Sequence, residues 1–252
     1  MKLLKNVRIF FYALLLTGVV VGVKYILHAI GFEPIEQTSL HNAMISSVIF
    51  VIGFVLSATI ADYKESERIP AEFASNVEGM YEDAKEIRKA YKFDLTFFRK
   101  NLIDILGAFR EGTRVNRKGA RREIADLNVT FGEMEKAGVP ANYIVKLKQQ
   151  QSLLLKSMYR VNYIQKIKFI PSAFLLVRSI VVLALGVLLF TNIDPFYGGL
   201  ALTGTICFIM TYMLILIQTI SVPFHAEGKT RDDVSLFLLR ETKTYLQKET
   251  EK

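Results

Sequence analysis

Residues 44–61 read MISSVIFVIGFVLSATIA and are followed at once by DYKESERIPAE at 62–72. An apolar helix of this length can cross most of a bilayer, whose hydrocarbon core takes about 20 helical residues. Three serines make the segment less lipid-like than a plain membrane anchor. The abrupt change to charged residues at Asp62 predicts that this helix leaves the membrane there.

Three further segments are apolar and long enough to cross a bilayer, at 9–30, 171–191 and 198–222. The chain has 252 residues, of which 51% are hydrophobic, and its mean hydropathy is +0.29, which is too apolar for an ordinary soluble domain. A cleaved signal peptide is an alternative for the first segment, since Lys2 and Lys5 precede it. That segment is longer than a signal core and lacks a small-residue cleavage pattern, which favours a retained helix. The sequence therefore predicts an integral membrane protein with four spans.

The basic residues indicate which way the spans face. The two short connections at 31–43 and 192–197 contain acidic residues but no lysine or arginine, whereas 62–170 contains 21 of the 32 basic residues. By the positive-inside rule, both termini and the long central segment are cytoplasmic. The predicted organisation is 1–61 with spans one and two, 62–170 as a cytosolic helical region, 171–222 with spans three and four, and 223–252 as a cytosolic tail.

The central segment has helical periodicity, with apolar residues every three or four positions. Pro70 and Pro140 are the expected breaks, and Gly138 just before Pro140 marks a stop and restart. No stretch alternates as a strand does. The fold class predicted is all-α, with cytosolic helices that extend the membrane helices.

The residues needed for common enzyme chemistry are missing. The chain has one cysteine and three scattered histidines, no glycine-rich phosphate loop with its lysine, and no serine nucleophile elbow. We therefore predict no catalytic residue, no metal site, no cofactor and no enzymatic activity.

A basic stretch at 99–122 holds eight basic and two acidic residues. It suits a solvated helix face attracted to anionic lipid, or an electropositive vestibule that concentrates anions. Nucleic-acid binding is not expected, because no stacking aromatics or reading motif accompany the charge.

Two basic residues fall inside predicted spans. Lys24 lies toward the outer end of the first span, where its ammonium is expected to snorkel to the interface. Arg178 lies seven residues after Pro171, about 10 Å along a helix. A charge at that depth is either a packing anchor paired with a carbonyl or carboxylate, or an intramembrane ion contact.

One face of the second span combines hydroxyl and aromatic side chains at helical spacing. Ser46 or Ser47, Phe50, Phe54 and Ser57 lie three or four residues apart. On an isolated helix these phenylalanines would simply face lipid. Repeated around a symmetry axis, the same face would form a narrow apolar constriction with small polar rings on either side, and such constrictions can gate by dewetting.

The stretches FVIGF at 50–54 and DYKESERIP at 62–70 resemble the pore helix of bestrophins and the polar segment that follows it. Pro223-Phe224 resembles the bestrophin Pro-Phe turn, and the match is closer to the prokaryotic bestrophin-like membrane proteins. The resemblance implies a homopentameric channel for chloride and other small anions in the inner membrane of a bacterium or archaeon. It implies a hydrophobic neck at Phe50 and Phe54, with Ser46 and Ser57 at neighbouring turns.

Two features separate this chain from animal bestrophins. It has no tryptophan, and a continuous acidic run after Phe224 is missing, so calcium control of that kind is not expected. Asp62 and Glu65, near the predicted inner mouth, would favour cations. A cation-selective channel of the same fold is therefore one alternative. The other alternative is a membrane-anchored scaffold or signalling protein that acts through its cytosolic helices. A secondary transporter would show inverted repeats, which the sequence lacks.

Overall fold

The structure is a computed structural model, and it describes residues 8–110, 117–166, 171–224 and 234–249. Within these residues there are eight helices and two very short strands. The elements in chain order are α1 Arg8–Ala29, β1 Ile35–Glu36, α2 Ser39–Ala90, α3 Leu95–Arg110, α4 Arg117–Lys136, α5 Ala141–Lys166, α6 Pro171–Phe190, β2 Thr191–Asn192, α7 Phe196–Ile220 and α8 Phe237–Lys248. The prediction of an all-α fold is confirmed, and the single two-residue parallel strand pair is an addition to it.

The described residues form two compact units. We call residues 8–63 and 171–221 the membrane unit, and residues 64–166, 222–224 and 234–249 the extramembrane unit. Helix α2 contributes to both, because it runs for 52 residues without interruption. The protein is an integral membrane protein, with four helices long and apolar enough to span a bilayer: α1, α2, α6 and α7.

The core of the membrane unit lies where α2 meets α6 and α7. Val48 and Ile52 of α2 are buried with Val177 and Val181 of α6 and with Met210 of α7. Helix α1 packs mainly on α7. The parallel pairing of Ile35 with Thr191 connects the segment after α1 to the end of α6.

The prediction of a break at Pro70 is wrong, because α2 continues through this residue. A proline inside a helix removes one backbone hydrogen bond and costs about 3 kcal/mol. Ile69 and Phe73, on either side of it, are both buried in one core together with Val77. Keeping these three side chains on one helical face offsets the lost bond. The predicted break near Pro140 is confirmed, since α4 ends at Lys136 and α5 begins at Ala141.

The extramembrane unit has an apolar core of the kind found in globular domains. Its largest fully buried side chains come from α2, α3, α4 and α5 and include Phe73, Met80, Phe98, Leu102, Phe131 and Leu147. Helix α8 adds Leu239 and Leu246 to this core. The Tyr245 hydroxyl also donates a hydrogen bond to Glu82 of α2 at 2.5 Å. The helix near the carboxy terminus is therefore part of this unit.

Candidate functional site

The first candidate surface is a face of α2 in the membrane unit, which we call the Phe face and define as Ser46, Phe50, Phe54 and Ser57. Phe50 and Phe54 are 74% and 70% exposed, although Ile52 between them is fully buried. Ser46 and Ser57 are exposed as well. A single helix thus presents its small residues and two large aromatic rings on the side opposite its core contacts. Exposed apolar surface of this extent requires either lipid or other protein against it.

The neighbouring serine behaves differently from the residues of the Phe face. The Ser47 hydroxyl donates to the carbonyl of Ala43, one turn earlier, at 2.8 Å. This internal bond satisfies the hydroxyl within its own helix. The sequence analysis named either Ser46 or Ser47 as the first serine of this face. Among the described residues, no group forms a hydrogen bond with the Ser46 hydroxyl.

The two predicted inner-mouth carboxylates fall in different units. Asp62 is half-buried in the membrane unit, whereas Glu65 belongs to the extramembrane unit. The Glu65 carboxylate accepts a hydrogen bond from the Arg160 guanidinium of α5 at 2.7 Å. The negative charge of Glu65 is thus compensated within the chain.

Glu65 also lines a cavity of about 1330 Å³ between α2 and α5 of the extramembrane unit. Its charged lining consists of three basic and two acidic side chains, Arg68, Lys156, Arg160, Glu65 and Glu72. The Arg68 guanidinium lies 3.3 Å from Glu72. Lys156 forms no ion pair with the described residues, so the lining carries a net positive charge.

Lys24 occupies a polar site that the sequence analysis missed. Its side chain is only 1% exposed, and its ammonium lies 2.5 Å from the Glu33 carboxylate. It also donates to the carbonyl oxygens of Leu189, at 3.2 Å, and Thr191. The prediction that Lys24 snorkels to the interface is therefore wrong. The segment after α1 folds back and supplies a counter-charge, while the end of α6 and β2 each place one carbonyl group beside the ammonium.

A histidine completes this polar cluster. His28 lies one turn after Lys24, and its Nδ1 is 2.8 Å from the second oxygen of Glu33. Its ring stacks on Phe196 of α7 at 3.7 Å between centroids. Burial tends to raise the pKa of Glu33, but the hydrogen bonds from His28 and Lys24 bring it below the ordinary value of 4.5. The signal in the sequence was Glu33, an acidic residue nine positions after Lys24, in a loop that contains no lysine or arginine.

Arg178 is exposed on α6, beside the buried Val177. No carboxylate of the described residues lies within ion-pair distance of its guanidinium, and no carbonyl there accepts a hydrogen bond from it. The packing-anchor interpretation therefore finds no support within a single chain. Across the described part of the protein, no three His, Cys, Asp or Glu side chains come together as metal ligands would. Arg114 of the basic stretch lies outside the described residues.

Comparison with known proteins gives matches at the level of structure. No family model matches the sequence, and no curated protein matches it. A bacterial bestrophin homolog from Klebsiella pneumoniae carrying a point mutation superposes with a TM-score of 0.81 at 13% identity, covering 97% of this chain and 100% of that one. Another structure of the Klebsiella pneumoniae bestrophin homolog gives 0.78 at 14% identity, with 96% and 99% covered. A structure described as a membrane protein gives 0.80 at 14% identity, with 97% and 98% covered.

These superpositions cover 96–97% of the chain, so the likeness extends beyond the four membrane helices. At such low identity, it is the backbone architecture that is shared. The resemblance predicted from FVIGF and DYKESERIP is confirmed: the chain has the fold of the bacterial bestrophin homologs.

Proposed function

We propose that the protein is an oligomeric ion channel whose pore is lined by the Phe face of α2. The observation that carries the proposal is the exposure of Phe50 and Phe54 on a chain with the bestrophin fold. One copy of a helix cannot enclose a pore, so the proposal requires several copies around a common axis. Five copies is the number that the bestrophin resemblance implies.

The Phe face suggests how such a pore would work. Phe50 and Phe54 are four residues apart, about 6 Å along the helix axis. Rings of these side chains would form a short apolar constriction that water leaves readily and that small changes in width could open or close. Ser46 and Ser57 would place hydroxyl groups on either side to contact hydrated ions.

The charges of the chain support anions as the permeating ions. The four spans contain no aspartate or glutamate, and the whole chain carries a net charge of +8. Glu65, which would attract cations, is neutralised by Arg160. The cavity that Glu65 lines carries a surplus of basic groups, which raises the local concentration of anions.

The same proposal includes the topology. The short connections after α1 and between α6 and α7 carry no basic residue, so we place them outside the cell and both termini in the cytoplasm of a bacterium or archaeon. The basic extramembrane unit then lies on the cytoplasmic side.

The test is reconstitution of the purified protein in planar bilayers under a potassium chloride gradient. We expect currents that reverse near the chloride equilibrium potential. A reversal potential at the cation limit would reject the anion assignment in favour of the cation-selective alternative, and the absence of any current would reject the channel.

A matched pair of variants connects the current to the Phe face. The double variant Phe50→Ala, Phe54→Ala widens the apolar constriction, and we expect it to increase conductance or open probability. Leu183→Ala is the control, because Leu183 is also a large exposed apolar residue of the membrane unit but lies on α6. Equal behaviour of the two variants would remove the pore from the Phe face.

A further inference from the structure

Arg178 is a full charge placed where the bilayer is apolar. It lies seven residues into α6, about 10 Å from Pro171, in a helix of about 30 Å. Leu175 and Val182, one turn to either side, are both exposed. A guanidinium in these surroundings is costly unless acceptor groups reach it.

Lys24, in the same unit, is a basic residue whose charge has partners within the chain. Its ammonium is buried against Glu33 and two backbone carbonyls. Arg178 has no such arrangement among the described residues. The difference lies in the groups that surround each side chain, since both side chains are basic.

A second copy of the chain cannot supply a carboxylate at this depth either. The four spans, at 9–29, 44–61, 171–190 and 196–220, contain no aspartate or glutamate. Any assembly of identical copies therefore has the same deficit. The spans of further copies thus offer no counter-charge, and the lipid headgroup layer next to Pro171 is a source that lies outside the polypeptide.

We infer that Arg178 is a binding site for an anion from its surroundings, and that this anion is a lipid of net negative charge, held through its headgroup phosphate in the leaflet nearer Pro171. A guanidinium can donate two parallel hydrogen bonds to phosphate oxygens. Its long side chain can rise along α6 toward the headgroups while its stem stays in the apolar layer. A permeating anion offers the same chemistry from a second source, and the experiments below separate the two.

The first experiment measures lipid binding to the full-length protein by native mass spectrometry, during titration with phosphatidylglycerol or with phosphatidylcholine. We expect Arg178→Leu to weaken phosphatidylglycerol binding about tenfold, the scale of one charge-assisted hydrogen bond. Arg178→Lys keeps the charge but loses the bidentate geometry, and it should fall between. Arg88→Leu removes an exposed arginine near the end of α2, outside the cavity lining, and should leave the affinity unchanged.

The second experiment records currents of Arg178→Leu in bilayers of phosphatidylcholine alone. If phosphatidylglycerol affinity is unchanged but ion selectivity or conductance changes, the anion is a permeating one and the lipid assignment is overturned. If neither property changes, Arg178 is satisfied by neutral groups and the inference fails. The lipid titration needs no current, so a protein that does not conduct would reject the channel proposal while leaving this inference standing.

Discussion

The two units of this chain both bury an apolar core, but they differ in the side chains that they expose. In the membrane unit, Phe50 and Phe54 are exposed while Lys24 and Glu33 are buried against one another. In the extramembrane unit, Phe73 is fully buried, and the ion pairs stand at the surface. The contrast follows from the surroundings that each unit meets, since apolar surface costs little against lipid or against other apolar helices and much against water. Helix α2 belongs to both patterns.

The largest effect expected from this contrast is on stability. Phe73→Ala should lower the free energy of unfolding by about 3–5 kcal/mol, because it leaves a cavity in a packed core. Phe50→Ala should change it by less than about 0.5 kcal/mol, since the ring has few packed neighbours within the chain. Thermal unfolding in detergent, followed by circular dichroism, compares the two. Similar losses for both variants would mean that the Phe face is packed as a core.

A second comparison concerns the buried charge. Lys24→Met leaves Glu33 buried without its counter-charge and should cost about 3 kcal/mol, whereas the surface change Arg160→Ala should cost at most about 1 kcal/mol. Adding Glu33→Gln to Lys24→Met should recover part of the loss. No recovery in the double variant would show that the two charges are not coupled.

The same site gives a pH dependence. The pKa of Glu33 lies below its ordinary value of 4.5 in the folded protein, so the contribution of this carboxylate to stability is present above pH 4.5. It is lost as the pH falls through the lowered value. The variant Glu33→Gln should therefore lose stability less steeply on acidification than the parent protein.

The smallest expected effect is at α8. Tyr245→Phe removes the hydrogen bond to Glu82 and should cost about 1 kcal/mol. That hydrogen bond raises the pKa of Tyr245 from 10 to about 12. Because this pKa is raised, the hydrogen bond contributes fully to stability below pH 10, and its contribution disappears as the pH passes 12. Limited proteolysis of α8 should become faster in the parent protein as the pH rises from 10 to 12, and it should change less in Tyr245→Phe.

The sequence was sufficient where one periodic signal decided the outcome. Long apolar segments located the four spans, and three-to-four spacing placed Phe50 and Phe54 on one side of α2. The sequence was insufficient where contacts between residues distant along the chain determine the local structure. Pro70 is held in a continuous helix by the burial of Phe73, and Lys24 is satisfied by a loop and by carbonyls 165 and 167 residues away. Local preference indicates neither, because each depends on tertiary packing.

The most direct test of the pore is to ask whether water reaches the Phe face. In a Cys207→Ala background, Ser46→Cys and Ser57→Cys would be treated in turn with a charged, membrane-impermeant thiosulfonate, with Leu183→Cys, at an exposed position on α6, as the comparison. We expect both serine positions to be modified and the current to fall on modification, while the position on α6 stays unreactive. If neither serine position reacts, or both react no faster than position 183, the Phe face is against lipid and does not line a pore.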